Sequence, residues 1–191
     1  MARFRSMKRL SLAATLALVA ACGRSANFLP PEDVAAPLFE VEYENYAWSP
    51  TWTGFYVDGE GNVYAWDRHG IQDATLSANE LTPTQLAQKY AGRSIRKALS
   101  KDEVLQRYQQ AAQAAQTGLT APRGACADAG VTRFSAWVLD SGDGKYHRVL
   151  LHQRGDEAIT RHSDANRAVW KWLDAATLGN TGDPICDPYA G

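Results

Sequence analysis

Most of the short motifs that mark catalytic or nucleotide-binding sites are missing from this 191-residue sequence. Neither GxGxxG nor GxxxxGK followed by Ser or Thr occurs, which argues against nucleotide-dependent chemistry. HExxH is absent, so no helical zinc-peptidase site is indicated. The absence of GxSxG argues against the nucleophile of an α/β-hydrolase. None of these four enzyme motifs is therefore present in the sequence.

An excess of one charge sign and a long hydrophobic run are also lacking. The chain has 20 Lys and Arg against 21 Asp and Glu, a formal net charge of −1, which gives no electrostatic footprint for nucleic acid. The apolar run at residues 10–21 is too short for a transmembrane helix, which needs about 20 apolar residues. With 10% aromatic and 21% charged residues, the composition excludes a disordered chain.

The first 22 residues have the pattern of an export signal. Basic residues at positions 3, 5, 8 and 9 precede the apolar run, which has the length of a signal-peptide h-region. The run ends in Val19-Ala20-Ala21-Cys22, which resembles the lipobox of bacterial lipoproteins. The resemblance implies cleavage before Cys22, diacylglycerol on the Cys22 thiol and usually a third acyl chain on its new amine. The alternative is an ordinary secretory signal with a chance cysteine.

Acylation would determine where the mature chain resides, because two or more acyl chains hold a protein stably on a membrane. The residue after Cys22 is Gly23 and not the Asp that commonly retains lipoproteins in the inner membrane. The resemblance therefore favours the outer membrane, facing the periplasm. Removal of residues 1–21, which hold four basic and no acidic residues, lowers the net charge from −1 to −5. We expect a signal peptide over 1–21, a lipidated N-terminus and tether over 22–37, and one domain over 38–191.

The other two cysteines form an even pair in a chain that is predicted to be exported. Cys126 and Cys186 both lie in segments rich in Gly, Ala, Asp and Pro, and disulfides persist in exported proteins. We therefore predict a Cys126–Cys186 disulfide that holds the C-terminal tail. A catalytic thiol and a metal ligand are the alternatives, but neither cysteine has a CxxC or His partner nearby.

Hydrophobic patterning predicts an α+β domain with an antiparallel sheet. Phe39, Val41 and Tyr43 alternate with three glutamates, which predicts a half-buried strand with an acidic outer face. Two hairpins are expected, over residues 53–66 and 131–152, with a short strand at 158–161. The fold predicted is a small antiparallel sheet built from two β-hairpins plus an N-terminal strand, packed by about three helices. The predicted helices begin near Thr82, Ser100 and Ser163.

Histidines and acids in the C-terminal half are the candidates for hidden catalysis. A hydrolase, if present, would draw on these residues: His147, His152, His162, Asp140 and Asp156. His147 and His152 differ by an odd number, so a regular strand places them on opposite faces. The Asp-rich turns at residues 58–62 and 140–144 depart from the calcium-loop pattern, so no metal is predicted.

Aromatic residues are concentrated between positions 48 and 66. If one face of the first hairpin is exposed, they form a binding surface for sugars or for a protein; the alternative is that they fill the core. The candidate surface comprises Trp48, Trp52, Tyr56, Tyr64 and Trp66.

These observations predict the cellular location of the protein more clearly than its biochemical activity. We expect a monomeric, non-enzymatic envelope protein, anchored to the membrane by its N-terminal lipid. It would bind a protein or peptidoglycan partner or support envelope structure, without a cofactor and without nucleic acid. The alternatives are an envelope hydrolase that uses the His and Asp residues named above, and a purely structural spacer.

Overall fold

The computed structural model of the chain describes residues 35–47, 50–68, 78–90, 94–177 and 186–189. Nine strands and three helices lie in these residues. The strands are β1 Pro37–Asn45, β2 Thr51–Asp58, β3 Asn62–Asp67, β4 Glu80–Leu81, β5 Ser94–Ala98, β6 Arg123–Gly124, β7 Val131–Asp140, β8 Lys145–Gly155 and β9 Glu157–Thr160. The helices are α1 Pro83–Lys89, α2 Lys101–Ala114 and α3 Asp164–Ala176. In this part of the chain, no helix is long and apolar enough to cross a membrane.

The strands form one antiparallel sheet in the order β5-β3-β2-β1-β7-β8-β9-β6, and β4 pairs with β8 off this path. The predicted hairpins are β2–β3 and β7–β8, and β1 joins them because it pairs with both β2 and β7. The prediction of an α+β fold with an antiparallel sheet is therefore confirmed.

The sheet is larger than the two hairpins and one strand that the sequence predicts. β4 and β6 have two residues each, too few to show alternation. All five residues of β5 are exposed, so this strand pairs with β3 through its backbone without a buried apolar face. Hydrophobic periodicity cannot detect such strands, because backbone pairing at a sheet edge does not require apolar side chains.

Each face of the sheet has its own core. Odd-numbered residues of β1, such as Phe39 and Val41, pack with Phe134 and with buried residues of α2 and α3. On the other face, α1 contributes Leu86 to a cluster that includes Trp137 of β7. β1 is thus covered on both faces, and its alternate side chains enter different environments.

All three helices begin where the sequence predicts, with Thr82, Ser100 and Ser163 at their N-caps. Thr82 caps α1 in a complete capping box, in which Thr82 Oγ1 accepts from Gln85 N at 3.3 Å and Gln85 Oε1 accepts from Thr82 N at 2.9 Å. Ser163 caps α3 by accepting from Asn166 N at 3.0 Å. Ser100 differs, because its side chain makes no capping hydrogen bond to α2.

Candidate functional site

The predicted disulfide is present and ties the C-terminal segment 186–189 to the domain. Cys126 and Cys186 are 60 residues apart in sequence, and the bond brings their Cα atoms to 5.4 Å. Cys126 lies two residues after β6 ends, beside the sheet edge that β6 forms with β9. The bridge therefore fixes segment 186–189 close to β8, the strand that carries His152.

The residue after the bridge, Asp187, pairs with His152 of β8. Asp187 Oδ2 lies 2.9 Å from His152 Nε2, and neither side chain is exposed to solvent. Burial alone would raise the pKa of the Asp187 carboxyl, but its hydrogen bonds with the His152 ring and the Tyr189 backbone N–H, together with nearby Arg154, lower that pKa. The pair therefore holds the C-terminal segment 186–189 against β8.

Aromatic rings enclose His152 on several sides. Its ring stacks on Trp170 of α3, with centroids 4.2 Å apart and an interplanar angle of 16°. Phe134 lies at 5.7 Å, and Tyr189 approaches edge-on at 6.4 Å. His152 is therefore the centre of a packed junction between β8, α3 and the C-terminal segment.

A cleft of about 500 Å³ opens beside this junction. We call it the α3 cleft. Its lining consists of residues 160–164, between β9 and the first turn of α3, Arg167 and Trp170 of α3, and Pro188 and Tyr189 of the bridged segment. Trp170 and Tyr189 thus contact buried His152 and also line the cleft, so the disulfide-held segment forms one of its walls.

Arg161 brings a positive charge to the α3 cleft. Its Nε donates to Leu150 O at 2.7 Å, and one terminal nitrogen donates to the carbonyl oxygens of Ala115 and Thr117. Partial burial lowers the pKa of the Arg161 guanidinium. Within the described residues its hydrogen-bond partners are carbonyl oxygens, which satisfy its N–H groups without cancelling its charge.

The candidates for a hydrolase do not share one site. His152 is buried against Asp187, whereas His162 is exposed and lines the α3 cleft. Asp156 accepts a hydrogen bond from Ala129 N at 2.9 Å, near the start of β7. His147 and Asp140 lie at the β7–β8 turn. Ser163, the serine that lines the cleft, accepts a hydrogen bond from Asn166 N as the N-cap of α3.

The β7–β8 turn brings together three potential metal ligands. Asp140, Asp143 and His147 each place one ligand atom within 4.8 Å of the others. These carboxylates already bind the turn: Asp140 Oδ1 accepts from Gly142 N at 2.7 Å, and Asp143 Oδ1 accepts from Lys145 N at 2.9 Å. The backbone hydrogen bond from Lys145 is the main reason why the pKa of Asp143 is lowered. We interpret the group as a hydrogen-bonded turn.

The aromatic residues of the first hairpin belong mainly to the core. Trp52, Tyr56 and Trp66 are buried, and Tyr64 is half-buried in a stack on Tyr56 with centroids 4.5 Å apart. Trp66 is accommodated because β2 has Gly54 at this point, where an added Cβ would lie 2.6 Å from its indole ring. An exposed platform formed by these four side chains is therefore wrong. Trp48 lies outside the described residues, as does Cys22.

The acidic face of β1 is buried, contrary to the sequence-based expectation. Glu40 and Glu42 have no exposed surface, and cations from α1 and from β8, the strand beyond β7, lie against them. Lys89 Nζ lies 3.0 Å from Glu40 Oε1, and Arg148 lies 3.0 Å from Glu42 Oε1. The cluster continues to the edge of this face, where Arg133 contacts Glu42 at 3.3 Å.

The cations around Glu42 more than offset the effect of burial on its carboxyl. Burial alone would raise the pKa of Glu42, but Arg148, Lys89 and Arg133 together lower it to about 2. Conversely, the two buried glutamates raise the pKa of Arg148 despite its own burial. Glu42 is therefore ionised near neutral pH, and its ion pair with Lys89 attaches α1 to the sheet.

Comparisons with protein-family models, curated proteins and solved structures find no match to this chain. The candidate site therefore depends on its own residues. The α3 cleft combines charged side chains with an aromatic wall, and no sequence motif connects the segments that form it.

Proposed function

We propose that this chain is a lipid-anchored protein of the bacterial cell envelope. The observation that carries the proposal is Val19-Ala20-Ala21-Cys22, which follows a basic segment and a twelve-residue apolar run. In this proposal residues 1–21 are removed and Cys22 becomes the acylated N-terminus. Because Gly23 follows the cysteine, the mature protein is sorted to the outer membrane and faces the periplasm.

The disulfide supports export, because such bonds form and persist in oxidising compartments. Cys126 and Cys186 are joined, which leaves Cys22 as the cysteine without a disulfide role. Each of the three cysteines then has an assignment that agrees with an envelope protein. The net charge of −5 for the mature chain also argues against attraction to nucleic acid or to anionic lipid head groups.

Within the envelope, the proposed role is binding and not catalysis. His152 and Asp187, the one buried His–Asp pair among the described residues, have no exposed surface with which to reach a substrate. The other hydrolase candidates lie at separate places. The α3 cleft, in contrast, is open to a ligand and is held by a covalent bridge.

Fractionation of a Gram-negative host that expresses the chain tests the anchor. The wild-type protein should sediment with the outer membrane in a density gradient. Cys22→Ser should be found uncleaved or in the soluble fraction, with altered gel mobility. The matched control is the double variant Cys126→Ser with Cys186→Ser, which should remain membrane-bound. Identical fractionation and mobility of Cys22→Ser and the wild type would contradict the proposal.

A further inference from the structure

The α3 cleft has a charge opposite to that of the chain as a whole. Arg161 and Arg167 line it, and the guanidinium of Arg123 lies over the ring of Tyr189 at 5.6 Å. Asp164 is the one acidic side chain in the lining. Acids outnumber bases in the full sequence, so this local excess of arginine is a feature of the cleft and not of the composition.

The arginine charges in the cleft lack acidic partners within the part of the chain that the structure describes. Arg161 is held by the carbonyl oxygens of Leu150, Ala115 and Thr117, and its second terminal nitrogen makes no hydrogen bond there. Arg167 is exposed and is in no ion pair with a described residue. The other arginines of this half differ: Arg154 is paired with Asp174, and Arg148 with Glu42.

An aromatic wall stands next to these charges. Tyr189 is half-buried, and its backbone N–H donates to Asp187 Oδ1 at 2.9 Å. Asp187 is in turn held by His152 and follows the bridged Cys186, so the ring position is fixed from two directions. The cleft volume of about 500 Å³ lies in the range of small-molecule sites.

We propose that the α3 cleft binds a small organic anion of about the size of a sugar. The carboxylate or phosphate of the ligand would be held by Arg167, whose exposed guanidinium can bind either oxyanion through paired hydrogen bonds, and by the second terminal nitrogen of Arg161, which can add a single charged hydrogen bond. Its ring would lie against Tyr189. The inference goes beyond envelope anchoring and does not depend on it, since it concerns a cleft far in sequence from Cys22.

Calorimetric titration of the full protein, purified from whichever cell fraction contains it, tests the inference. Two charged probes are compared with their neutral counterparts: N-acetylmuramic acid with N-acetylglucosamine, and glucose 6-phosphate with glucose. At least one charged probe should bind about tenfold more tightly than its neutral counterpart. If N-acetylmuramic acid is the one charged probe that binds, the ligand is a carboxylate. If glucose 6-phosphate is the one that binds, the ligand is a phosphate.

Two variants of the lining and one control variant test whether the charged probe binds in the α3 cleft. Arg167→Gln should weaken the charged probe about tenfold, because it removes an exposed guanidinium without affecting the core. Asp164→Asn should tighten binding about threefold, because it removes the acid of the lining. The matched control Arg96→Gln alters an exposed arginine of β5, far along the sheet from α3, and should leave binding unchanged.

Thermal unfolding of each variant, followed by circular dichroism, establishes that the fold is retained. The inference is overturned if no charged probe binds at millimolar concentration, or if charged and neutral sugars bind equally. It is also overturned if Arg167→Gln and Arg96→Gln have the same effect. The result is distinct from that of fractionation, because a soluble, unacylated protein can still be titrated.

Discussion

Two charged residues of β1, Glu40 and Glu42, lie in the interior, although their sequence pattern predicts an acidic outer face. Glu40 and Glu42 are fully buried, each within 3.0 Å of a cation on another element. Removing the partner of a buried charge lowers the free energy of unfolding strongly, whereas an intact buried pair changes it little compared with apolar residues of similar size. The cluster is therefore best detected by removing one of its members.

Replacing Glu42 with Gln should destabilise the protein by about 3–5 kcal/mol, because Arg148 and Lys89 would then share the single carboxylate of Glu40. Urea denaturation measures the free energy of unfolding. The matched control is Glu44→Gln on the same strand, whose partly exposed carboxylate contacts Arg133 at 2.7 Å and whose loss should cost about 1 kcal/mol. Equal effects of the two substitutions would contradict a buried cluster.

Lowering the pH should reduce the free energy of unfolding through protonation of Glu42. The pKa of Glu42 falls from its ordinary value of 4.5 to about 2 on folding, so the unfolded chain binds more protons between these values. Stability from this group is present above pH 4.5 and is lost as the pH falls towards 2, by on the order of 3 kcal/mol. Urea denaturation as a function of pH measures the slope, which should be smaller in Glu42→Gln. An equally steep slope in Glu42→Gln would show that other carboxylates cause the pH dependence of the unfolding free energy.

Among the elements, those with strong local signals were predictable. The alternating run of β1, the hairpins β2–β3 and β7–β8 and the capping residues of α1 and α3 are specified within short stretches of sequence. The short edge strands β4, β5 and β6 have no such local signal, because they are defined by their partners. On α3, Trp170 is buried and Trp172 only partly so, because Trp170 packs on His152, a contact that the helix sequence alone does not indicate.

The capping box of α1 should contribute measurably, because α1 has only seven residues and supplies Lys89 to the buried cluster. Thr82→Ala should cost about 1 kcal/mol of unfolding free energy. The control Thr84→Ala, in the exposed first turn, should change stability by no more than a few tenths of a kcal/mol, in the stabilising direction. Both values come from urea denaturation at neutral pH. Equal effects of Thr82→Ala and Thr84→Ala would show that the cap is dispensable.

At the scale of the whole molecule, the candidate site depends on contacts between distant parts of the chain. The disulfide was predictable because cysteine counting in an exported chain leaves one pair. The partner of His152 was not, because nothing in the sequence connects it to Asp187, 35 residues away, until the bridge brings the C-terminal segment back. The α3 cleft likewise combines the β9–α3 turn with this segment.

Removal of the bridge should affect stability strongly. Cys126→Ser combined with Cys186→Ser releases a closed loop of 60 residues in the unfolded chain, which should cost about 4 kcal/mol. Urea unfolding of the double variant should coincide with that of the wild type under reducing conditions. A loss below about 1 kcal/mol would mean that segment 186–189 stays docked through His152 and Asp187 without the covalent bond.

The mass of the mature protein, measured on material extracted from the membranes of a Gram-negative host, tests whether the chain is lipidated at Cys22. We expect a chain that begins at Cys22, lacks residues 1–21, and carries a diacylglyceryl group with a further acyl chain. The Cys126–Cys186 bond should account for a further loss of two hydrogens. An unacylated chain cleaved at another position, or one that retains residues 1–21, would show that Cys22 is not the lipidated N-terminus.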